Sequence, residues 1–231
     1  MSLQTPAADV VAARPRFREP VNGFLHLGGF VLSVLGTALL LWRCYPDAGR
    51  IATAAIFGGT MSLCFLASTF HHLISAAPRT EIRLFRIDYA AIYPFIAGCY
   101  TPICIHMLPG PSGRILLAMV WAIAMIGVVY QLALAPDPPD VAAPPSLLMT
   151  AIYVALGWLA VTQLMPLIAA SRGWTIGLMA AGGLAYTFGA IVFTRKLFDY
   201  WPGLLGHHEI WHVCVLLGAG CHYFYIYLNI A

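Results

Sequence analysis

The sequence predicts an all-α membrane protein, a bundle of seven transmembrane helices. Of its 231 residues, 61% are hydrophobic and only 9% are charged, and the mean hydropathy is +0.82. Soluble domains carry roughly 25% charged residues. Every backbone polar group in lipid must be satisfied within the protein, and the apolar runs are too long and too uniform for the alternating strands of a barrel. Helices are therefore the expected spanning elements.

The chain divides into apolar segments of about 20 residues, the length that crosses a hydrocarbon core about 30 Å thick. We expect seven of them, near 24–42, 51–74, 87–107, 114–134, 146–168, 174–194 and 205–229. The breaks between them have turn and loop compositions. These breaks are Pro46-Asp47, Pro78-Arg79, Pro109-Gly110-Pro111, Pro136 through Pro145, Ser171-Arg172-Gly173 and Asp199 through Pro202. A short tail, 1–20, thus precedes one transmembrane domain, 21–231.

The orientation follows from the distribution of Lys and Arg, which favour cytoplasmic loops. With the N-terminus inside, eight of the 12 basic residues lie inside, namely Arg14, Arg16, Arg18, Arg79, Arg83, Arg86, Arg195 and Lys196. The other four, Arg43, Arg50, Arg114 and Arg172, lie outside. We therefore predict a cytoplasmic N-terminus, an external C-terminus and a multi-pass protein of the bacterial inner membrane.

Three histidines and one aspartate are expected at the same membrane face. His72 ends the second segment, and His208 and His212 begin the seventh, four residues apart. That spacing separates two side chains by about 40° around a helix and about 6 Å along it. Asp88 opens the third segment, where a carboxylate is costly unless it has a partner or a task. The predicted topology places all four near the inner leaflet.

This set of residues suits a catalytic zinc ion. Neutral imidazole is a good zinc ligand, and three protein ligands with one open position are typical of catalytic sites. Zinc lowers the pKa of a bound water to about 7. Asp88 could orient that water or accept its proton, and Ser68, four residues before His72, could support a ligand or a developing oxyanion. The chemistry indicated is hydrolysis of a carbonyl compound at the membrane surface.

Three ordered motifs resemble the hemolysin III and progestin/adipoQ receptor family. They are Ser68-Thr-Phe-His-His72, the stretch from Asp88-Tyr-Ala-Ala to Tyr-Thr-Pro102, and His208-Glu-Ile-Trp-His212, and the likeness runs from Glu19, Asn22 and His26 to His222. The resemblance implies seven helices, a cytoplasmic N-terminus and zinc held by His72, His208 and His212. It also implies that Asp88 contacts the zinc-bound water and that Ser68 is the family serine. The wider superfamily includes alkaline ceramidases, which cleave lipid amides.

The remaining histidines are expected to lie outside the set of metal ligands. His71, where bacterial family members usually have Tyr, lies about 100° from His72 around the helix, so the two are not expected to bind one ion. His207 is expected at the loop end, outside the ligand set. His26, His106 and His222 are expected to be packing residues with local hydrogen bonds. His222 also shares a face with His208 and could alternatively line a substrate cavity.

Two acids allow alternative interpretations. Asp88 could instead be a helix N-cap or first-turn acid, or a partner of Arg83 or Arg86. Glu209 lies within a His-Glu-x-x-His pattern, in which metalloproteases use the glutamate as general base. The family resemblance favours Asp88 for that role, and Glu209 is expected to meet a loop arginine or a lipid headgroup.

We therefore predict a zinc-dependent, ceramidase-like membrane hydrolase that cleaves a lipid amide or ester and serves membrane lipid homeostasis. The acyl chain of the membrane lipid would lie between helices. One alternative is a receptor or regulator with structural zinc, and another is a pore-forming hemolysin or channel. The net charge of +3 reflects the excess of Lys and Arg in the predicted cytoplasmic loops and indicates no nucleic-acid partner. The oligomeric state stays open.

Overall fold

A computed structural model describes residues 16–138, 147–201 and 204–231, which form seven helices and no β-strand. The helices are α1 (Pro20–Cys44), α2 (Ala48–Leu73), α3 (Pro78–His106), α4 (Pro111–Leu134), α5 (Leu147–Ala170), α6 (Gly173–Arg195) and α7 (His207–Asn229). α4 ends in a π-helical turn, and a 3₁₀ turn interrupts α5. Arg14, most of the loop from Pro136 to Pro145, position 146 and Pro202 lie outside the described residues.

The helix starts follow from local sequence. α1, α3 and α4 each begin with a proline, whose missing N–H costs nothing in the first turn. α2 begins after Asp47, whose side chain accepts a hydrogen bond of 3.0 Å from the backbone N–H of Arg50. The carboxylate of Asp47 is further stabilised by that bond, which lowers its pKa below the usual range.

The third helix corrects one boundary and two alternative interpretations of Asp88. It begins at Pro78 rather than near 87. The proline and the first-turn acid Glu81 both suit a helix start. The first turns were not predicted because they are too polar to form part of an apolar segment. Asp88 is therefore inside the helix, and the interpretation as an N-cap or first-turn acid is wrong. Arg86 pairs with Asp137 at 2.8 Å instead of with Asp88.

The chain is a multi-span membrane protein. Within the described ranges, six helices are long and apolar enough to cross a membrane, namely all except α3. α3 has 29 residues, enough length to span, but its charged first turns and later polar residues make it less apolar. The seventh span and the orientation of the termini stay predictions.

Packing places α2, α3 and α7 around the interior. α1 packs against α2 and α7, α2 against α3, and α6 against α7. α5 is peripheral: of its residues, Leu156 and Leu167 are the buried ones. The start of α7 lies close to the end of α2, where the ring centroids of His208 and His72 are 5.0 Å apart.

The α1–α2 contact provides a stability prediction. A Cβ atom at Gly58 would lie 2.7 Å from the Cβ of Thr37 on α1, whereas a Cβ at the neighbouring Gly59 would have no heavy atom within 4 Å. Because the Thr37 Cβ moves only with its backbone, Gly58→Ala must push the helices apart. We expect a loss of about 1–3 kcal/mol in unfolding free energy, measured by thermal unfolding in detergent. Gly59→Ala is the matched control and should leave stability unchanged or slightly raised; equal effects would refute the close approach.

Candidate metal centre

Three histidine side chains from two helices converge at one end of the bundle. His72 lies in the last turn of α2, and His208 and His212 lie in the first turns of α7. One ring nitrogen of each residue lies within 4.8 Å of the others. The ring centroids are 4.7 to 5.0 Å apart, and His72 and His212 are each 2% exposed. The structure thus brings the three histidines from the sequence prediction together.

Asp88 faces this group from α3. Its Oδ2 lies 4.0 Å from Nε2 of His72, too far for a direct hydrogen bond but suited to a bridging atom. Ser68 lies four residues before His72 on α2. Both side chains are buried and line the same cavity as the histidines.

A carboxylate just before α1 lies against two of the histidines. Oε2 of Glu19 is 2.9 Å from Nδ1 of His72 and 3.4 Å from Nδ1 of His208. The Glu19 backbone N–H also donates a 2.8 Å hydrogen bond to the His72 carbonyl. The Arg18 guanidinium lies 3.5 Å from Oε1 of Glu19, and this cation together with the His72 hydrogen bond favours the ionised carboxylate.

His71 is buried beside His72 but is engaged by Arg18. The Arg18 Nη2 lies 3.0 Å from Nε2 of His71 and 3.5 Å from Oε1 of Glu19. His71, His72 and Asp88 form a second group with ligand atoms within 4.8 Å. Because the Arg18 guanidinium donates to Nε2 of His71, the lone pair of that nitrogen is already engaged. The geometry therefore favours the group without His71.

Glu209 occupies a different place from the one expected. It is buried, and its Oε1 accepts a 3.1 Å hydrogen bond from Nδ2 of Asn22, while its Oε2 accepts a 2.8 Å bond from the Gly206 N–H. The expectation of a loop arginine or a headgroup is therefore wrong: Glu209 caps α7 and joins it to α1. His207 is the first residue of α7, with Nδ1 3.7 Å from Asp199 Oδ1, and lies outside the grouped ligands.

The other histidines divide into two kinds. His106 lies 2.9 Å from the Thr53 hydroxyl on α2, a hydrogen-bond partner of the kind expected for a packing histidine. His222 donates to the Gly218 carbonyl at 2.9 Å, and it also lines the cavity. His26 differs from expectation: its ring lies 4.0 Å from that of His212, and its nitrogens are buried without a well-formed hydrogen bond among the described residues.

The donor set fits a zinc ion. Three imidazoles with an open side match a catalytic rather than a closed structural site. Zinc–nitrogen bonds of about 2.0–2.1 Å in a tetrahedron need nitrogen atoms about 3.4 Å apart, which small ring rotations would provide. In addition, Nδ1 of His212 is buried without a hydrogen-bond partner in the described part of the chain. Buried polar atoms are normally satisfied, so this nitrogen calls for a bound group.

A cavity of about 160 Å³ extends from the histidines into the bundle. Its polar end contains the three histidines, Asp88 and Ser68, and its walls are mainly apolar and aromatic. The wall residues come from α2, α3, α5, α6 and α7, and include Phe95, Ile96, Tyr153, Trp158, Tyr186 and Val215. The site is thus shaped for a molecule with one polar group and an apolar body.

Fold and site together define a multi-span helical membrane protein with a buried histidine cluster at one end of its bundle. Residues 15–223 match the Haemolysin-III related family, and the chain belongs to that family. It is 34% identical over 208 residues to Hemolysin-3 homolog of Bacillus subtilis (strain 168), covering 89% of this chain and 91% of the relative. It is 31% identical over 208 residues to Hemolysin-3 of Bacillus cereus, covering 89% of each chain.

The similarity extends to animal and plant proteins. The human Monocyte to macrophage differentiation factor is 28% identical over 218 residues, covering 91% of this chain and 84% of the relative. A rice protein, Heptahelical transmembrane protein ADIPOR2, is 29% identical over 176 residues, covering 71% of this chain and 76% of the relative. The resemblance to the hemolysin III and progestin/adipoQ receptor family is therefore confirmed.

Proposed function

We propose that this protein is a zinc-dependent membrane hydrolase that cleaves a lipid amide or ester in a ceramidase-like reaction. The observation that carries the proposal is the grouping of His72, His208 and His212, faced by Asp88, at the polar end of an apolar cavity. The reaction would take place at the cytoplasmic side of a bacterial inner membrane and would serve lipid homeostasis.

Each polar residue has a defined role in this proposal. The three imidazoles hold the zinc ion, which when bound would polarise the carbonyl group and make hydroxide available at neutral pH. Asp88 orients the attacking water and accepts its proton, because its carboxyl faces His72 across a gap of 4.0 Å. Ser68, which lines the cavity with Asp88, would support a metal ligand or a developing oxyanion.

The acyl chain of the substrate would occupy the apolar part of the cavity. The walls offer the aliphatic and aromatic surface that an alkyl chain requires. α5, which contributes Tyr153 and Trp158 to the wall, has few buried residues and so faces lipid over most of its surface. A membrane lipid could therefore reach the site from within the bilayer.

A receptor or regulator with structural zinc is the second candidate. The observation that favours it is that the ligands come from α2 and α7, so that a bound ion would tie these helices together. A pore is less favoured, because the walls of this cavity are mainly apolar and conduction normally needs a polar path.

Lipid hydrolysis by purified protein tests the proposal. The protein is incubated in vesicles with a ceramide-like amide or a phospholipid, and release of fatty acid is measured before zinc removal, after removal and after zinc is restored. We expect release that is lost with the metal and returns with it. Full metal occupancy without any cleavage of either lipid class would contradict the hydrolase and favour structural zinc.

A further inference from the structure

We propose that Glu19 is a positioning residue that directs Nε2 of both His72 and His208 toward the metal ion. The inference rests on the proposed zinc site, and it makes the segment just before α1 part of that site. One carboxylate oxygen of Glu19 lies within 2.9 Å of Nδ1 of His72 and 3.4 Å of Nδ1 of His208.

The positioning follows from the hydrogen-bonding capacity of each group. A carboxylate only accepts hydrogen bonds, so Nδ1 of His72, at 2.9 Å, carries the N–H. Nδ1 of His208, at 3.4 Å, is beyond ordinary hydrogen-bond length but lies nearest the same oxygen, which favours an N–H on that nitrogen as well. A neutral imidazole has one N–H, and its other nitrogen then presents a lone pair. Nε2 of His72 and of His208 are therefore the atoms left to bind a cation. Metal-binding histidines commonly donate their second nitrogen to such a carboxylate, which fixes the tautomer and the ring orientation.

The Glu19 carboxylate is itself held on several sides. Nδ2 of Asn22 donates to Oε2 of Glu19 at 3.2 Å and to Oε1 of Glu209 at 3.1 Å. Glu209 in turn accepts from the Gly206 N–H at the start of α7. Arg18 lies 3.5 Å from Oε1 of Glu19. This chain of contacts joins the start of α1 to the start of α7, where His208 lies, so that the carboxylate has a defined position between the two rings.

Zinc affinity of Glu19→Gln tests the role. The glutamine keeps the size of the side chain but loses the charge, so it holds the two N–H groups less strongly. Loss of an outer carboxylate partner typically weakens metal affinity about 10–100-fold, and we expect a rise of that size in the zinc Kd, measured by chelator competition. Glu81→Gln is the matched control. Glu81 accepts a 3.0 Å hydrogen bond from the Ala76 N–H at the start of α3. Removing the charge of Glu81 should leave the zinc Kd unchanged.

A second readout separates positioning from general stability. In zinc-free protein, nitrogen NMR of labelled histidine should show Nδ1–H for His72 and His208, and a shift toward Nε2–H in Glu19→Gln. If Glu19→Gln does not fold, Glu19→Asp, which keeps the charge at shorter reach, should show an intermediate Kd. An unchanged Kd and unchanged ring signals would overturn the role of Glu19 while leaving the metal centre intact. A wild-type protein that binds no zinc would overturn the metal proposal itself.

Discussion

Replacing His208 with alanine should remove zinc from the purified protein. The wild type should retain about one zinc per chain, the stoichiometry of a single site with three histidine ligands. His208→Ala leaves two imidazoles, His72 and His212, from separate helices, and two ligands do not hold zinc through purification. We expect less than about a tenth of the wild-type content, measured by metal analysis of protein purified in detergent.

The adjacent histidine provides the control. His207→Ala makes the same substitution one residue earlier, at a side chain that faces Asp199 and lies outside the grouped ligands. It should keep the wild-type zinc content. Stoichiometric zinc in both His208→Ala and His72→Ala would remove these residues from the site, whereas loss in His207→Ala as well would show that α7 had simply been disturbed.

Replacing Asp88 with asparagine should stop turnover without removing the metal. The asparagine has nearly the same shape but cannot accept the proton of the attacking water. Positioned general acid–base groups contribute typically 10²–10⁴-fold to rate, so we expect fatty acid release to fall about 100- to 10,000-fold. Zinc content and thermal stability should stay at the wild-type level, since Asp88 lies outside the group of three histidines.

Asp137→Asn is the matched control for this substitution. Asp137 is exposed and pairs with Arg86 at 2.8 Å, away from the cavity, and its change should not alter turnover. Undiminished turnover in Asp88→Asn at full zinc content would refute the general-base role. Loss of zinc in this variant would instead indicate that Asp88 binds the ion with His72 and His71, the second group that the structure brings together.

The histidine cluster was predictable because its signals are local. His208 and His212 are related by one helical turn, and the predicted alternation of seven spans puts the end of α2 and the start of α7 at one membrane face. The start of α3 was not found because the polar residues after Pro78 hide a helix from an apolar pattern. The position of Asp88 inside that helix, which excludes the helix-start interpretation, therefore needed the structure.

The partners of the cluster were missed because they are distant in sequence. Glu19 and Glu209 each stand at a helix start, where acidic residues are common, so neither indicates a distant partner. In the folded chain, Asn22 donates a hydrogen bond to both carboxylates. One signal was present: Glu19, Asn22 and His26 are spaced three and four residues apart and share one face of α1. A polar face at the start of an otherwise apolar span indicates a buried partner.

Anomalous X-ray scattering at the zinc absorption edge, measured on crystals of the protein purified without chelator, tests the central claim most directly. The account predicts one strong anomalous peak, in contact with the rings of His72, His208 and His212. Data of sufficient quality that show these rings with no peak between them, or a zinc peak bound by other residues, would contradict it.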